Sequence, residues 1–99
     1  MSITIHIHYT WENGSAKRFA EEMAARGIVE KVRAEAGNEM YAYYLSMDDP
    51  ETVLLVDKWR DQAALDFHHR TTMMKDIADL REKHKLTMRV ERFKEENDE

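Results

Sequence analysis

The chain has 99 residues, a formal net charge of −5 and no cysteine. This length allows one domain, and an acidic chain without a cluster of Lys and Arg excludes a nucleic-acid-binding surface. The lack of cysteine excludes disulfides, thiolate catalysis and cysteine-ligated zinc, and it favours a cytoplasmic location. No segment has the features of a signal peptide or the roughly 20 apolar residues of a membrane span. We therefore expect a cytoplasmic protein without nucleic-acid or membrane partners.

The first predicted element is a strand at residues 2–9, where apolar and polar side chains alternate strictly. One face would carry Ile3, Ile5, Ile7 and Tyr9, and the other Thr4, His6 and His8. Two histidines at this spacing can share a metal ion, but a usable site needs a third ligand that the sequence does not provide. No metal site is therefore expected, and both histidines are predicted to face a dimer partner.

A helix is predicted from Ala16, with Ser15 as its N-cap, because apolar residues recur at helical spacing to about Val32. Gly27 lies inside this stretch and costs about 1 kcal/mol relative to Ala, which predicts a kink or a short break. Gly37 is predicted to end the helix in the left-handed conformation.

Two strands are predicted next, at residues 39–47 and 52–59, with a turn at residues 48–51 between them. The second strand contains the uninterrupted apolar run Val53-Leu54-Leu55-Val56, which is typical of a strand covered on both faces. Helices can cover only one face of a sheet in so small a protein. The run therefore predicts that a second copy of the chain covers the other face.

Asp61 is a good N-cap for the next helix. Thr71 or Thr72 is a second candidate N-cap, which would divide this helix into a short part through His69 and a longer part to about Lys83. The sequence therefore predicts a helix that is interrupted near its middle.

Alternation at residues 85–93 predicts a fourth strand, which ends a single domain at residues 1–93. Residues 94–99 are acidic, have little to bury and are expected to be a disordered tail. The element order is thus βαββαβ, which right-handed crossovers fold into a ferredoxin-like α+β domain. Its four-stranded antiparallel sheet would carry the helices on one face and pair through the other face into a homodimer.

One pattern extends over the centre of the chain: Glu35-x-Gly37, then Tyr41, then W-x-x-x-x-A-L-x-x-H from Trp59 to His68. This pattern resembles the antibiotic biosynthesis monooxygenase family, and the resemblance covers nearly the whole chain. It implies a dimeric α/β barrel with a pocket between the sheet and the helices of each protomer. It also implies a cofactor-independent monooxygenase that acts on a small aromatic, quinol- or enol-type substrate.

Members of this family have several activities, so two alternatives stay open. One is a dimer that binds a small molecule without catalysis, and the other is an isomerase of a small carbonyl compound. A phosphorylated isomerase substrate would require Lys or Arg in the pocket, and the sequence places none there. Haem-degrading members use Asn, Trp and His at positions that are Ile7, His68 and Ala78 in this chain. Haem degradation is therefore excluded.

His68 is the predicted catalytic residue, because it lies one turn after Leu65 and can face inward as a general base. The alternative is a histidine that only hydrogen-bonds the backbone at the helix break. His69 is expected to point away, towards solvent or the dimer edge. The predicted substrate-binding residues are Ile5, Ile7, Phe19, Met23, Tyr41, Tyr43 and Met73. The three glycines are isolated and form no phosphate-binding loop, so no flavin, nucleotide or other cofactor is expected.

Overall fold

The computed structural model describes residues 1–94. Its elements in chain order are β1 (Ile3–Thr10), α1 (Ser15–Ala25), α2 (Ile28–Arg33), β2 (Asn38–Leu45), β3 (Thr52–Trp59), α3 (Gln62–His69), α4 (Met73–Lys83) and β4 (Thr87–Lys94). The predicted order is confirmed, with each predicted helix divided in two. None of the helices within residues 1–94 is long and apolar enough to cross a membrane.

The four strands form one antiparallel sheet in the order β2-β3-β1-β4. This is the strand order of a ferredoxin-like sheet, as predicted. The register aligns Ile5 on β1 with Asp57 on β3 and with Arg92 on β4, and it aligns Asp57 with Tyr41 on β2. The side chains of these four residues therefore share one face of the sheet.

Burial along β3 shows which face the helices cover. Val53, Leu55, Asp57 and Trp59 are buried, while the residues between them are half-buried. The core lies between this face and the helices, and its largest fully buried side chains are Trp59, Phe19, Met23, Leu55, Leu65 and Val32. The predicted assignment of the β1 side chains to two faces is also confirmed, because Ile3, Ile5, Ile7 and Tyr9 all pack in or against this core.

The opposite side of the sheet, which we call the open face, has no helix on it among the described residues. It carries His6, His8, Ala42, Tyr44, Leu54, Val56 and Phe93. Tyr44 and Phe93 are 48% and 47% exposed. The described chain therefore leaves apolar and aromatic side chains of the sheet in contact with solvent.

The start of α1 differs from the prediction. Gly14, not Ser15, occupies the N-cap position, with a φ of 72°. Ser15 is the first helical residue, and its hydroxyl donates a hydrogen bond to the backbone carbonyl of His84 after α4. The prediction of Ser15 as N-cap was wrong because this tertiary contact uses the hydroxyl.

Gly27 and Gly37 both adopt the left-handed conformation, with φ values of 75° and 88°. Gly27 separates α1 from α2, which confirms the predicted break. However, α2 ends at Arg33, so Gly37 lies in the turn before β2 and not at the helix end. A Cβ on Gly37 would lie 2.5 Å from the Cβ of Ala64. The glycine thus lets this turn approach α3 closely.

The boundary between α3 and α4 lies where the sequence predicts it. Asp61 accepts a hydrogen bond from the backbone N–H of Ala64 at 2.9 Å, which confirms it as the N-cap of α3. Thr72 occupies the N-cap position of α4 without a side-chain capping bond. Thr71 donates its hydroxyl to the carbonyl of His68 at 2.8 Å. The prediction of an N-cap at Thr71 or Thr72 is therefore confirmed at Thr72, while Thr71 satisfies the end of α3.

The fourth strand begins at Thr87, later than predicted, because Lys85 has a φ of 60° and forms part of a turn. It includes Lys94, so the predicted tail cannot begin there. The remainder of that prediction, residues 95–99, lies outside the described residues.

Candidate active site

A cavity of about 360 Å³ lies between the sheet and the α3–α4 pair. Apolar side chains form most of its wall: Ile5, Ile7, Leu55, Leu65, Met74, Ile77, Met88 and Val90. Met88 and Val90 belong to the edge strand β4 and are about half exposed, so the cavity opens at this edge of the sheet. Its size falls in the usual range for small-molecule sites.

His68 lies on the wall of this cavity and is held by a carboxylate. Its Nδ1 is 2.7 Å from Oε2 of Glu35, and the two side chains are only 4% and 8% exposed. Glu35 belongs to the turn between α2 and β2, and the Asp61 cap and the Thr71 hydroxyl fix the two ends of α3 around His68. The other oxygen of Glu35, Oε1, is buried and has no hydrogen-bond partner among the described residues.

Trp59 forms the floor beneath His68, with ring centroids 4.7 Å apart and an angle of 30° between the rings. Its Nε1 donates a hydrogen bond to Oδ1 of Asp57 at 2.7 Å. Burial raises the pKa of Asp57 from 3.8 to about 6, against smaller effects of His68 and of the Trp59 hydrogen bond, which lower it. Asp57 also lines the cavity. It therefore belongs to one buried polar group with Glu35, Trp59 and His68.

Sequence reasoning did not select Asp57 as a site residue. The signal was present, because alternation along β3 places Asp57 on the same face as Leu55 and Trp59. A carboxylate on the buried face of a strand is uncommon unless it is paired or functional.

The tyrosines around the cavity remain neutral hydrogen-bonding groups. Burial raises the pKa of Tyr9 to about 12, and it also raises the pKa of Tyr41 and of Tyr43 well above the usual value. The hydroxyls of Tyr41 and Tyr43 are 3.4 Å apart. Tyr41 lines the cavity, whereas Tyr43 lines a separate groove beside α1 and α2. The prediction that both share one face of β2 is confirmed, but Tyr43 does not line the cavity.

Three further predicted substrate-binding residues do not line the cavity. Phe19 and Met23 have no exposed surface and fill the core beneath α1. Met73 packs against the core, and the next residue, Met74, faces the cavity in its place. The cavity lies under α3 and α4, so side chains of α1 cannot reach it. Ile5 and Ile7 line it as predicted.

His69 is exposed, which confirms the expectation that it faces solvent, and it also contributes to the lining of the cavity. Its ring centroid is 5.7 Å from that of His68. His68 and His69 are the last two residues of α3.

Two arginines line the cavity, although the sequence placed no cation there. Arg81 projects from the last turn of α4, and Arg92 follows Met88 and Val90 on the inner face of β4. Arg81 donates a hydrogen bond to Sδ of Met88 at 3.8 Å, and Arg92 donates one to Oε1 of Gln62. The expectation of a cavity without cations was wrong because both the end of α4 and the fourth strand contribute to its wall.

The two histidines on the open face, His6 and His8, contact side chains of β4 on that face and do not line the cavity. Nε2 of His8 is 2.8 Å from Oε1 of Glu91, and the His6 ring packs edge-on against Phe93. Within residues 1–94, no three or more His, Cys, Asp or Glu side chains are grouped so that they could hold a metal ion.

Comparison with known proteins shows the family. The family model described as "Antibiotic biosynthesis monooxygenase" matches residues 2–80. The curated protein "Putative monooxygenase YcnE" of Bacillus subtilis (strain 168) is 36% identical over 47 residues, which are 48% of this chain and 50% of that protein. The match thus spans about half the length of this curated relative.

Two solved structures show the same fold. Rv0793 from Mycobacterium tuberculosis has a TM-score of 0.81 at 17% identity, with 99% of this chain and 98% of that chain covered. SnoaB, a cofactor-independent oxygenase from Streptomyces nogalater, has a TM-score of 0.77 at 14% identity, with 98% and 95% covered. The family match over residues 2–80 and the shared ferredoxin-like fold show that this chain belongs to the antibiotic biosynthesis monooxygenase family.

Proposed function

We propose that this protein is a cofactor-independent monooxygenase of a small aromatic, quinol- or enol-type substrate, with His68 as its general base. The observation that carries the proposal is the hydrogen bond between Nδ1 of His68 and Oε2 of Glu35 at the wall of an apolar cavity. An ionised carboxylate can only accept hydrogen bonds, so the proton of a neutral imidazole lies on Nδ1. Nε2 is then the unprotonated nitrogen that can take a proton from a ligand.

The chemistry follows from removal of that proton. Deprotonation of the substrate gives an enolate or phenolate whose carbon is rich enough in electrons to react with molecular oxygen. Oxygen forms a bond to that carbon, and the proton returns to the outer oxygen to give a hydroperoxide. Loss of the remaining proton on the carbon and breakage of the O–O bond release water and leave a carbonyl, so one oxygen atom stays in the product and the other leaves in water. The substrate supplies all four electrons that reduce the oxygen molecule. The neutral hydroxyl of Tyr41 supports this step, since it can donate a hydrogen bond to the oxyanion of the substrate.

We also propose that the protein acts as a homodimer that pairs through its open face. The support is the apolar and aromatic surface that this face presents, including Leu54, Val56, Tyr44 and Phe93. Contiguous apolar surface of this kind is usually buried in an interface. A partner on the open face would leave the cavity accessible, because the cavity lies on the helix side of the sheet.

Oxygen uptake with anthrone as the test substrate is the direct experiment for the catalytic proposal. We expect uptake above the protein-free rate without added metal or flavin, with a carbonyl product. His68→Ala should lower the rate by about 10²-fold or more, the usual scale for a general base. His69→Ala should lower it less, because His69 forms no ion pair with a carboxylate within 4.0 Å among residues 1–94. Equal small losses in both variants would contradict the role of His68.

A second candidate is an isomerase of a small anionic carbonyl compound. The observation in its favour is the pair Arg81 and Arg92 on the cavity wall, which meets the requirement for a cation near a phosphate or carboxylate. An isomerase would convert its substrate without oxygen, so product formation under argon separates the two reactions. A ligand that binds and is recovered unchanged under both conditions would indicate the non-catalytic alternative.

A further inference from the structure

Arg81 is the most incompletely paired charged group of the cavity. Its guanidinium has five N–H donors, and its side-chain hydrogen bond is to the thioether of Met88, a weak acceptor, at 3.8 Å. Within residues 1–94 it has no carboxylate oxygen within 4.0 Å, whereas Arg26, Arg60 and Arg89 each form an ion pair. A half-buried guanidinium beside an apolar wall therefore retains several donors for a ligand.

Arg81 and the carboxylate of Asp57 lie at opposite ends of the cavity. Met88 is aligned with Tyr9, and Arg92 is aligned with Ile5 and through it with Asp57. The Met88–Tyr9 pair and the row of Arg92, Ile5 and Asp57 are four residues apart along the strands. This separation is about 13 Å at 3.3 Å per residue. Arg81 lies at the Tyr9 end, because it hydrogen-bonds Met88. Burial raises the pKa of the Tyr9 hydroxyl, and the charge of Arg81 offsets only part of that rise.

The other end belongs to the group around His68. The charges that act on the pKa of Asp57 are those of His68 and Glu35, and burial dominates over both. Arg92 also lies at this end, but it is exposed and already donates to Gln62. An anionic ligand group here would therefore be repelled by the two carboxylates, so such a group is favoured at the far end beside Arg81. The phenol or enol that His68 deprotonates and the anionic group would then lie at opposite ends of one ligand.

We propose that Arg81 binds a carboxylate of the substrate, and that the substrate is an aromatic acid whose reacting hydroxyl and carboxylate lie at opposite ends of its ring system. This inference rests on the proposed function, since it assumes that the reacting group lies beside His68. Arg92 has a smaller role, because it is more exposed and already donates to Gln62.

The test compares two probes that differ only in charge at one end. 6-Hydroxy-2-naphthoate carries a phenol and a carboxylate at opposite ends of a two-ring system, and its methyl ester lacks the negative charge. Calorimetric titration at pH 7.5 should show that the acid binds about tenfold to a hundredfold more tightly than the ester, the scale of a hydrogen bond to a charged group. Equal binding of the two probes, or binding of neither up to their solubility, would overturn the proposal.

Four variants locate the effect. Arg81→Gln should abolish the preference for the acid and leave ester binding within about threefold, while Arg81→Lys should restore part of the preference. Lys75→Gln is the matched control, since it makes the same charge change on α4 at an exposed side chain that pairs with Asp79. Arg92→Gln should weaken acid binding by less than Arg81→Gln. Equal effects of Arg81→Gln and Lys75→Gln would indicate long-range charge and contradict a contact at Arg81.

The result is separable from the outcome for the proposed function, because binding is measured without turnover. Oxygen uptake that depends on His68 but is equally fast with acid and ester would leave the monooxygenase proposal intact and refute the role of Arg81. Acid binding through Arg81 without oxygen uptake would support the role of Arg81 and refute the monooxygenase proposal.

Discussion

Nδ1 of His68 and Oε2 of Glu35 lie 2.7 Å apart across a separation of 33 residues, and both side chains are less than one-tenth exposed. The pair joins the end of α3 to the turn before β2. A buried carboxylate that holds one nitrogen of an imidazole fixes its tautomer and its orientation. Glu35 is therefore a positioning residue for His68 in the proposed reaction.

Glu35→Gln tests this relationship. The amide has nearly the same shape but can either donate or accept, so it no longer fixes the proton on Nδ1. We expect kcat for oxygen uptake to fall roughly tenfold to a hundredfold, the usual range for loss of an orienting partner, with a smaller change in KM. Glu30→Gln on α2 is the control, because it makes the same change at an exposed side chain. Equal rates for both variants would contradict a positioning role.

Asp57→Asn should change how stability depends on pH. The folded-state pKa of Asp57, about 6, is above its ordinary 3.8, so the folded protein binds more protons than the unfolded chain between these values. Stability from this group is therefore present below about pH 4 and lost as the pH rises through 6. This rise in the pKa of Asp57 corresponds to a change of about 3 kcal/mol in the free energy of unfolding, as an upper bound.

Urea unfolding at pH 4 and pH 8 measures this effect. The free energy of unfolding of Asp57→Asn relative to the wild type should increase by about 2–3 kcal/mol between the two pH values. The amide oxygen can still accept the hydrogen bond of Trp59. Asp48→Asn, at an exposed turn position, is the control and should show no such increase. A constant difference between Asp57→Asn and the wild type would show that the burial of Asp57 does not perturb its titration.

Gly37→Ala should destabilise the protein far more than Gly27→Ala. Both residues have positive φ, so each substitution carries a backbone cost of about 1 kcal/mol. Only at Gly37 would the new Cβ meet another atom, the Cβ of Ala64 at 2.5 Å, while nothing lies within 4 Å of a Cβ on Gly27. We expect losses of about 2–4 kcal/mol at Gly37 and about 1 kcal/mol at Gly27 in chemical unfolding. Similar losses at both sites would mean that α3 can shift without cost.

The proposed dimer predicts a specific effect of charge on the open face. Sedimentation should find the wild type as a dimer at micromolar concentration, and Val56→Glu should shift it towards monomer, since a carboxylate would be buried without a partner. Met47→Glu is the control, because Met47 is fully exposed in the turn between β2 and β3. A well-folded wild-type monomer, or a dimer unaffected by Val56→Glu, would contradict pairing through this face.

The sequence by itself determined the order of the elements and the two faces of the sheet. Alternation in β1 separated the Ile face from the His face, and Gly27 and Asp61 marked a helix break and a helix start. These features follow from backbone geometry over a few neighbouring residues, so the local pattern is sufficient to reveal them. Ile5, Ile7, Tyr41 and His68 were placed on the cavity for the same reason, with the help of the family resemblance.

The tertiary structure alone decided what surrounds His68. Glu35 and Asp57 lie near His68 only because the turn before β2, the third strand and α3 pack against one another. No local sequence pattern encodes this proximity. The packing of the helices likewise decided that Met74 and not Met73 faces the cavity, and that Phe19 on α1 lies too far from it to contribute, because the cavity is under α3 and α4. Side-chain direction over long sequence separations depends on how whole elements pack. The sequence therefore predicts the faces of the elements, while the packing of those elements selects the residues that share a site.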